Sequence, residues 1–159
     1  MIVLTVTLAI VAAICTAVIF GTDVLVALVM RPAYAELDDH AMVQIVGRSH
    51  RLGTQRLPVP GVVSVVAAAL TTLSALVAGW LTAGLAAGAG LVLLLAWLVI
   101  FNRISLPINK VLIAASEAGE TPADARALQA RWDSVIVLRA TLQGTALIGF
   151  CMAIALAGR

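Results

Sequence analysis

The chain has 159 residues, of which 62% are hydrophobic and 11% are charged. Its mean hydropathy is +1.10, whereas a water-soluble domain carries roughly 25% charged residues. The formal net charge of +2 is too small to indicate a nucleic-acid partner. The composition therefore excludes an ordinary soluble domain and predicts a single transmembrane domain over residues 1–159, with the lipid bilayer around it.

The first apolar run goes from Ile2 to Met30 and is followed by Arg31-Pro32. The run is longer than the ~7–15-residue core of a signal peptide, and ~20 residues are enough to cross a bilayer. The residue before a proline is disfavoured in the helical region, so we expect the helix to end at Arg31. The run predicts a retained transmembrane span over about residues 2–30.

Residues 31–60 form the first polar connection. Glu36 to Val46 places apolar residues at helical spacing, which predicts a short amphipathic helix that either lies against the membrane surface or folds back into the bundle. Gly47 is expected to end this helix. The following residues up to Pro60 are expected to form turns, because Gly and Pro are frequent among them.

The second and third spans are predicted over about residues 61–81 and 91–112. A short uncharged turn from Thr82 to Gly90 joins them, which predicts an antiparallel hairpin. Small residues such as Ser64, Ala68 and Ala75 recur along the second span at spacings of three or four. Small residues at this spacing let helices approach closely in lipid.

The second polar connection covers residues 113–131 and leads into a fourth span over about residues 132–156. Ala114 to Thr121 is expected to be a loop. Thr121 then caps a helix with Pro122 in its first turn, and this helix is expected to continue without a break to Leu156. The predicted fold is all-α: an integral membrane four-helix bundle with a short extra helix in the first connection.

Basic residues are concentrated in the two polar connections and are absent from the turn at residues 82–90. The positive-inside rule counts lysines and arginines in short loops. It predicts a multi-pass protein of the cell membrane with both polar connections in the cytoplasm and both termini outside.

Three charged residues lie inside the predicted spans at similar depth: Asp23, Arg103 and Arg139. A charge at the centre of a membrane helix costs ~2.5–3.5 kcal/mol, and pairing Asp23 with either arginine would neutralise two charges. The pair could simply fasten the bundle while an arginine reaches the surface. Alternatively, these residues mark a functional polar pocket.

Helical spacing groups further polar residues into two stripes. The stripe on the third span holds Asn102, Ser105 and Asn109, and the stripe on the fourth holds Trp132, Arg139 and Gln143. Two such stripes facing each other would line a cavity between helices. An aromatic wall with an arginine suits a flat phenolic or anionic ligand. Trp132 is equally consistent with an interfacial belt residue.

His40 and His50 are the two histidines of the chain, and both lie in the first connection. Together they could ligate a metal ion if the connection folded back, although a spacing of ten matches no metal template. A single histidine acting as a general base near neutral pH is a stronger interpretation than the metal site, and for His40 a solvated side chain in a loop is stronger still. A metal or haem centre on these two residues stays as an alternative. No phosphate-binding loop, nucleophile elbow or HExxH motif supports hydrolase or nucleotide-driven chemistry.

Three segments resemble the signatures of the anthrone oxygenase-like family, small four-helix membrane proteins otherwise described as a domain of unknown function. They are His50-Arg51-Leu52-Gly53-Thr54-Gln55-Arg56-Leu57-Pro58, Pro107-Ile108-Asn109, and the pair Trp132 and Arg139. The resemblance follows the order of nearly the whole chain. The chain differs from the family pattern at Ile136, where members often carry a polar residue, and in lacking a glycine directly before His50.

The resemblance implies that dioxygen oxygenates an electron-rich polycyclic phenol, an anthrone becoming an anthraquinone, without an organic cofactor. It implies that His50 is the catalytic base. The candidate substrate-binding residues, from the stripes and the resemblance together, are Asp23, Gln55, Asn102, Arg103, Asn109, Trp132, Arg139 and Gln143. The expected partners are the hydrophobic aromatic molecule, dioxygen, the bilayer and, as an option, a second copy of the chain. The alternative is a non-catalytic membrane protein that binds a lipid, a quinone, haem or a partner protein.

Overall fold

The computed structural model describes residues 1–159 and consists of five helices without any strand. The helices are α1 Ile2–Ala35, α2 Asp39–Arg56, α3 Pro58–Val77, α4 Leu81–Ala118 and α5 Ala125–Leu156. All except α2 are long and apolar enough to cross a membrane. The predicted all-α bundle of four long helices with one extra helix is therefore confirmed.

Two of the long helices contain a π-helical turn, Val26–Met30 in α1 and Phe101–Ser105 in α4. In each case a proline, Pro32 or Pro107, follows the turn by two residues. Proline has no N–H group, and its ring clashes with the carbonyl four residues earlier, which here lies within the π-helical turn. The wider turn accommodates the proline. The first span therefore continues to Ala35 and does not end at Arg31-Pro32 as predicted.

The helix α2 replaces both the short helix and the turns predicted for the first connection. Asp38 caps its first turn, since Asp38 Oδ1 accepts the Ala41 N–H at 2.8 Å. Gly47 does not end the helix but lies in its middle, where α2 crosses α4. A Cβ atom on Gly47 would stand 2.3 Å from the Cβ of Ser116, so this glycine permits a close helix crossing.

The helices α3 and α4 form the predicted hairpin, but its turn is at residues 78–80 and not at Thr82 to Gly90. Gly79 makes the turn with φ +79°, a conformation that glycine adopts without strain. Gly90 lies within α4, where a Cβ would stand 2.6 Å from the ring of Phe150 in α5. The glycines of this segment serve helix packing in the membrane.

The second connection is shorter than predicted, because α4 continues to Ala118 and ends at Gly119. Thr121 does not cap α5, which begins at Ala125. Thr121 Oγ1 lies 3.0 Å from His40 Nδ1 at the start of α2. The helix α5 is also not continuous, since residues 134–135 separate Ala125–Asp133 from Ile136–Leu156.

The bundle has two hydrophobic cores. One lies between the four long helices, and the other lies at the end of the bundle that carries the two polar connections. The membrane core consists of Ala12, Ile19, Ala67, Ala68, Leu94, Trp97, Ala146 and Phe150. The polar-end core consists of Tyr34, Met42, Val43, Val46, Ile108, Leu112, Ala115, Ala125, Trp132 and Ile136. The polar-end core joins α2 to the end of α1, the end of α4 and the start of α5. A cavity lies where the two cores meet.

Candidate ligand-binding site between the two cores

Asp23 of α1 and Arg139 of α5 form a buried ion pair. Arg139 Nη2 donates to Asp23 Oδ1 at 2.8 Å, and each side chain is only 6% exposed. Gln143 donates to the other carboxylate oxygen, Asp23 Oδ2, at 2.9 Å. Arg139 Nη1 donates to Ser105 Oγ of α4 at 2.8 Å. Of the two pairings that the sequence left open, the one with Arg139 is formed, and together with Ser105 it links three helices.

Aromatic rings cover the guanidinium group of Arg139. Its carbon atom Cζ lies 5.1 Å from the ring centroid of Trp132 and 5.5 Å from that of Phe101. Trp97 stacks on Phe101 with 5.9 Å between centroids. A cation over an aromatic face gains more when it is removed from water, so the rings and Asp23 together stabilise a charge held inside the bundle.

His50 reaches this group from α2. Its ring lies 5.2 Å from the Trp132 ring, centroid to centroid, at an interplanar angle of 38°. Trp132 is fixed in turn, because its Nε1 donates to Asn109 Oδ1 at 2.8 Å. His50 Nε2 is buried and has no hydrogen-bond partner. Burial and, to a lesser extent, the positive charge of Arg139 lower the pKa of His50 from 6.5 to about 4, so the imidazole is neutral at pH 7.

These side chains line a cavity of about 530 Å³, within the range of roughly 300–1,000 Å³ that is usual for small-molecule sites. Four lining residues carry a buried polar atom without a partner. The atoms are His50 Nε2, Trp97 Nε1, Gln129 Oε1 and Arg139 Nε. Buried polar atoms are normally hydrogen-bonded, so the four unpartnered ones make this cavity the candidate site for a bound molecule.

The structure brings together most of the predicted site residues. Those that line the cavity are Asp23, His50, Asn109, Trp132 and Arg139. Gln143 does not line it but lies directly behind, where it holds the carboxylate of Asp23. The two predicted polar stripes therefore meet, although they meet through Ser105 and Asn109 on α4 and not through Asn102.

Three predicted substrate-binding residues do not reach the cavity: Gln55, Asn102 and Arg103 are exposed on the surface. The amide of Asn102 donates to the carbonyl of Leu98 in its own helix at 2.8 Å. The prediction assumed a regular α-helix, whereas the π-helical turn Phe101–Ser105 inserts a residue and rotates Asn102 away from the side that Ser105 faces.

His40 and His50 cannot ligate the same metal ion. Both belong to one continuous helix, and ten residues at a rise of 1.5 Å place them about 15 Å apart along its axis. His40 is exposed at the beginning of α2, beside Thr121. The alternative of a metal centre shared by these two histidines is therefore wrong.

The sequence reasoning missed Trp97, Phe101 and Gln129 as members of the site. Trp97 and Phe101 are four residues apart and so share one helix face, one turn before Ser105. This spacing was a usable signal for an aromatic wall. Gln129 gave no comparable signal, because it lies on a polar stretch before the apolar part of α5.

No family model, no curated protein and no solved structure matches the chain. Its class follows from the fold and the site alone. The chain is a multi-pass helical membrane protein. Its interior contains a buried ion pair and a cavity with aromatic walls.

Proposed function

We propose that this chain binds a flat, membrane-soluble aromatic molecule in the cavity and oxygenates it with dioxygen, as the resemblance to anthrone oxygenase-like proteins implies. One observation carries the proposal. His50 lines a cavity with aromatic walls, and its Nε2 is a buried nitrogen without a hydrogen-bond partner. A base positioned within reach of a substrate proton is the first requirement of general base catalysis.

The unpartnered atoms suit a ligand that carries both an oxygen acceptor and a hydroxyl donor. Trp97 Nε1 and Arg139 Nε can only donate, whereas Gln129 Oε1 can only accept. His50 Nε2 does either, depending on its tautomer. A polycyclic phenol with a ring carbonyl, such as an anthrone, offers both functions on a flat apolar body, which suits a cavity lined mainly by apolar and aromatic side chains.

The proposed reaction turns a ring methylene into a carbonyl. His50 Nε2 takes a proton from the phenol or the methylene, and Arg139 stabilises the negative oxygen of the resulting enolate. The electron-rich carbon forms a C–O bond with dioxygen, and the proton returns to give a hydroperoxide. Loss of the second C–H proton and cleavage of the O–O bond then release one water. The substrate supplies all four electrons, so no further reductant is needed.

Binding without turnover is the second candidate function, and the pKa of His50 favours it. An imidazole with a pKa of about 4 is a weak base toward a phenol, whose ordinary pKa is about 10. The neutral ring remains a good hydrogen-bond partner. In this case the bound molecule would be a quinone or hydroquinone that the protein holds in the membrane.

We also propose on which side of the membrane the cavity lies. By the positive-inside rule, the polar-end core faces the cytoplasm, and the ligand lies at the cytoplasmic level of the bilayer. Both termini and the turn at residues 78–80 then lie outside.

Purified protein tests both functions with the variant His50→Gln and the matched control His40→Gln, which changes an exposed histidine of the same helix. Dioxygen uptake with an anthrone-type phenol is expected to fall by about 100-fold or more in the first variant and to stay unchanged in the second. Binding is followed by quenching of Trp97 and Trp132 in a Trp80→Phe background, since Trp80 lies at the distant turn.

The outcomes separate the two functions. Binding that requires His50 without any dioxygen uptake would support the second function. If His50→Gln kept both the binding and the uptake of wild type, both proposals would fail.

A further inference from the structure

We infer that the aromatic ligand carries an apolar alkyl or prenyl tail, which leaves the cavity along α3 and lies in the lipid. The inference rests on the proposed function, because it concerns a ligand of the same cavity. It names the substrate class more narrowly than the aromatic ring alone does.

The cavity is open along one stripe of α3. Pro58, Val62 and Val66 line the cavity and are also exposed, Val62 by 63% and Val66 by 52%. They recur every four residues, so they form one stripe about 12 Å long. Exposed side chains on a membrane-spanning helix face lipid. The same residues thus touch both the cavity and the acyl chains.

The remaining exposed residues of the cavity are polar and belong to α2. They are Ser49 and Thr54, on a helix outside the four spans. The opening therefore runs from polar residues on α2 to the apolar stripe on α3. This is the order in which a membrane presents headgroups and acyl chains.

The cavity has an inner part with polar atoms and an apolar opening along α3, and each part suits a different part of one ligand. The unpartnered polar atoms belong to four residues that line the cavity together with the aromatic rings, namely His50, Trp97, Gln129 and Arg139, whereas the open stripe on α3 offers no polar side chain. A polar aromatic head satisfies the first part, and an apolar chain fits the second. A ligand without a tail would leave the stripe to lipid.

A ligand with a tail is expected to bind with about the same affinity as the same ligand without one, and not more tightly. Lipid chains are as apolar as the valines of the stripe, so moving a tail from the bilayer into the opening gains little free energy. A closed cavity would reject a tailed molecule by overpacking, whereas an open one accepts it. The comparison of tailed and untailed ligands with the same head is therefore decisive.

The test measures equilibrium binding to the protein in lipid nanodiscs, with a phenolic anthrone and the same compound carrying a decyl or prenyl chain. Wild type is expected to bind the two within about threefold of each other, because the tail exchanges one apolar surrounding for another. The double variant Val62→Phe/Val66→Phe is expected to weaken the tailed compound by about tenfold or more. It should weaken the untailed compound by a clearly smaller factor, because that compound does not extend to the stripe on α3.

The matched control is Val59→Phe/Val77→Phe, which makes the same change at two exposed valines of α3 that do not line the cavity. This control should bind both compounds like wild type. Rejection of the tailed compound by wild type that binds the untailed one would overturn the inference and leave the proposed function standing. Equal weakening of both compounds by Val62→Phe/Val66→Phe would also overturn it. If wild type bound neither compound, the proposed function itself would fail.

Discussion

The membrane core and the polar-end core are packed with side chains of different size. The membrane core contains four alanines among its eight residues, and Gly149 brings α5 so close to α4 that a Cβ there would stand 2.8 Å from the carbonyl oxygen of Ala86. The polar-end core uses larger residues such as Met42, Leu112 and Ile136, all completely buried. Helices in lipid associate through close backbone approach, whereas helices near water associate by burying apolar side chains.

This difference accounts for the position of the cavity. The distance between helix axes depends on the side chains at their contact, so helices that touch through alanine and glycine at one level must separate where large side chains begin. The cavity lies at that level, with Trp97 from the membrane core on one side and Trp132 from the polar-end core on the other. The change of packing mode thus leaves space for a ligand without any special loop.

Breaking the buried ion pair of Asp23 and Arg139 gives the largest expected loss of stability. Asp23→Asn leaves Arg139 buried with an unpaired charge, which destabilises a protein by about 3–5 kcal/mol. The double variant Asp23→Asn/Arg139→Gln removes both charges and is expected to recover most of this loss. Thermal unfolding in detergent measures both variants. A double variant no more stable than Asp23→Asn would show that charge pairing is not what holds α1 to α5.

The control for this prediction is the exposed pair of Asp39 and Arg126, whose side chains are 61% and 43% exposed. Asp39→Asn should cost at most about 1 kcal/mol, because solvent screens a surface pair. The contrast between the two aspartates isolates burial as the cause.

Lowering the pH is expected to destabilise the protein because His50, which lies beside the polar-end core, becomes protonated. The folded-state pKa of about 4 lies below the ordinary value of 6.5, so the unfolded chain binds more protons between these pH values. Stability is therefore lost as pH falls from 6.5 toward 4, by about 3 kcal/mol in total. Arg139 is the charged group that faces His50, with Asp23 behind it.

Unfolding measured at pH 7, 5.5 and 4.5 checks this slope. His50→Gln should flatten it, whereas His40→Gln should leave it as in wild type, since His40 is exposed. An equally steep slope in His50→Gln would assign the acid sensitivity to other groups.

The sequence contained enough information for the spans and for the centre of the site. Long apolar runs identify membrane helices because the bilayer tolerates few polar groups, and an aspartate and an arginine at one depth must neutralise each other. For this reason the sequence grouped Asp23 with either Arg103 or Arg139, and helical spacing placed Gln143 beside Arg139. Asn109 and Trp132 followed from the same helical spacing.

The helix boundaries and the rotation of Asn102 could not be predicted, because they depend on tertiary contacts. Gly47 has the same local preference whether it ends a helix or lets two helices cross, and only the neighbouring Ser116 decides between these roles. A proline normally ends a helix, but α1 and α4 continue past Pro32 and Pro107 because a π-helical turn precedes each proline. That turn is what carries Asn102 to the surface.

The two glycines of α2 test whether close crossing also matters outside the membrane core. Gly47→Ala would place a Cβ 2.3 Å from Ser116 Cβ and 2.4 Å from the carbonyl oxygen of Leu112, which should destabilise by about 1–3 kcal/mol. Gly53→Ala meets only Leu57 at 3.7 Å and should stabilise by about 0.5–1 kcal/mol, because alanine favours a helix. Unfolding of the two variants in parallel measures both signs. Equal effects would mean that α2 does not pack closely on α4.

Substitution of Asn109, at the level where the two cores meet, gives the smallest expected loss of stability. Asn109→Leu removes the acceptor of the Trp132 indole N–H, and a buried donor left without a partner costs about 1–2 kcal/mol. The exposed Asn102→Leu should change stability by about 0.5 kcal/mol or less. In Asn109→Leu the Trp132 ring is also free to turn away from His50 and Arg139, so the quenching of Trp132 by an aromatic ligand should weaken together with stability. Unchanged quenching in Asn109→Leu would show that the polar-end core alone holds Trp132 in the cavity wall, without help from α4's polar stripe.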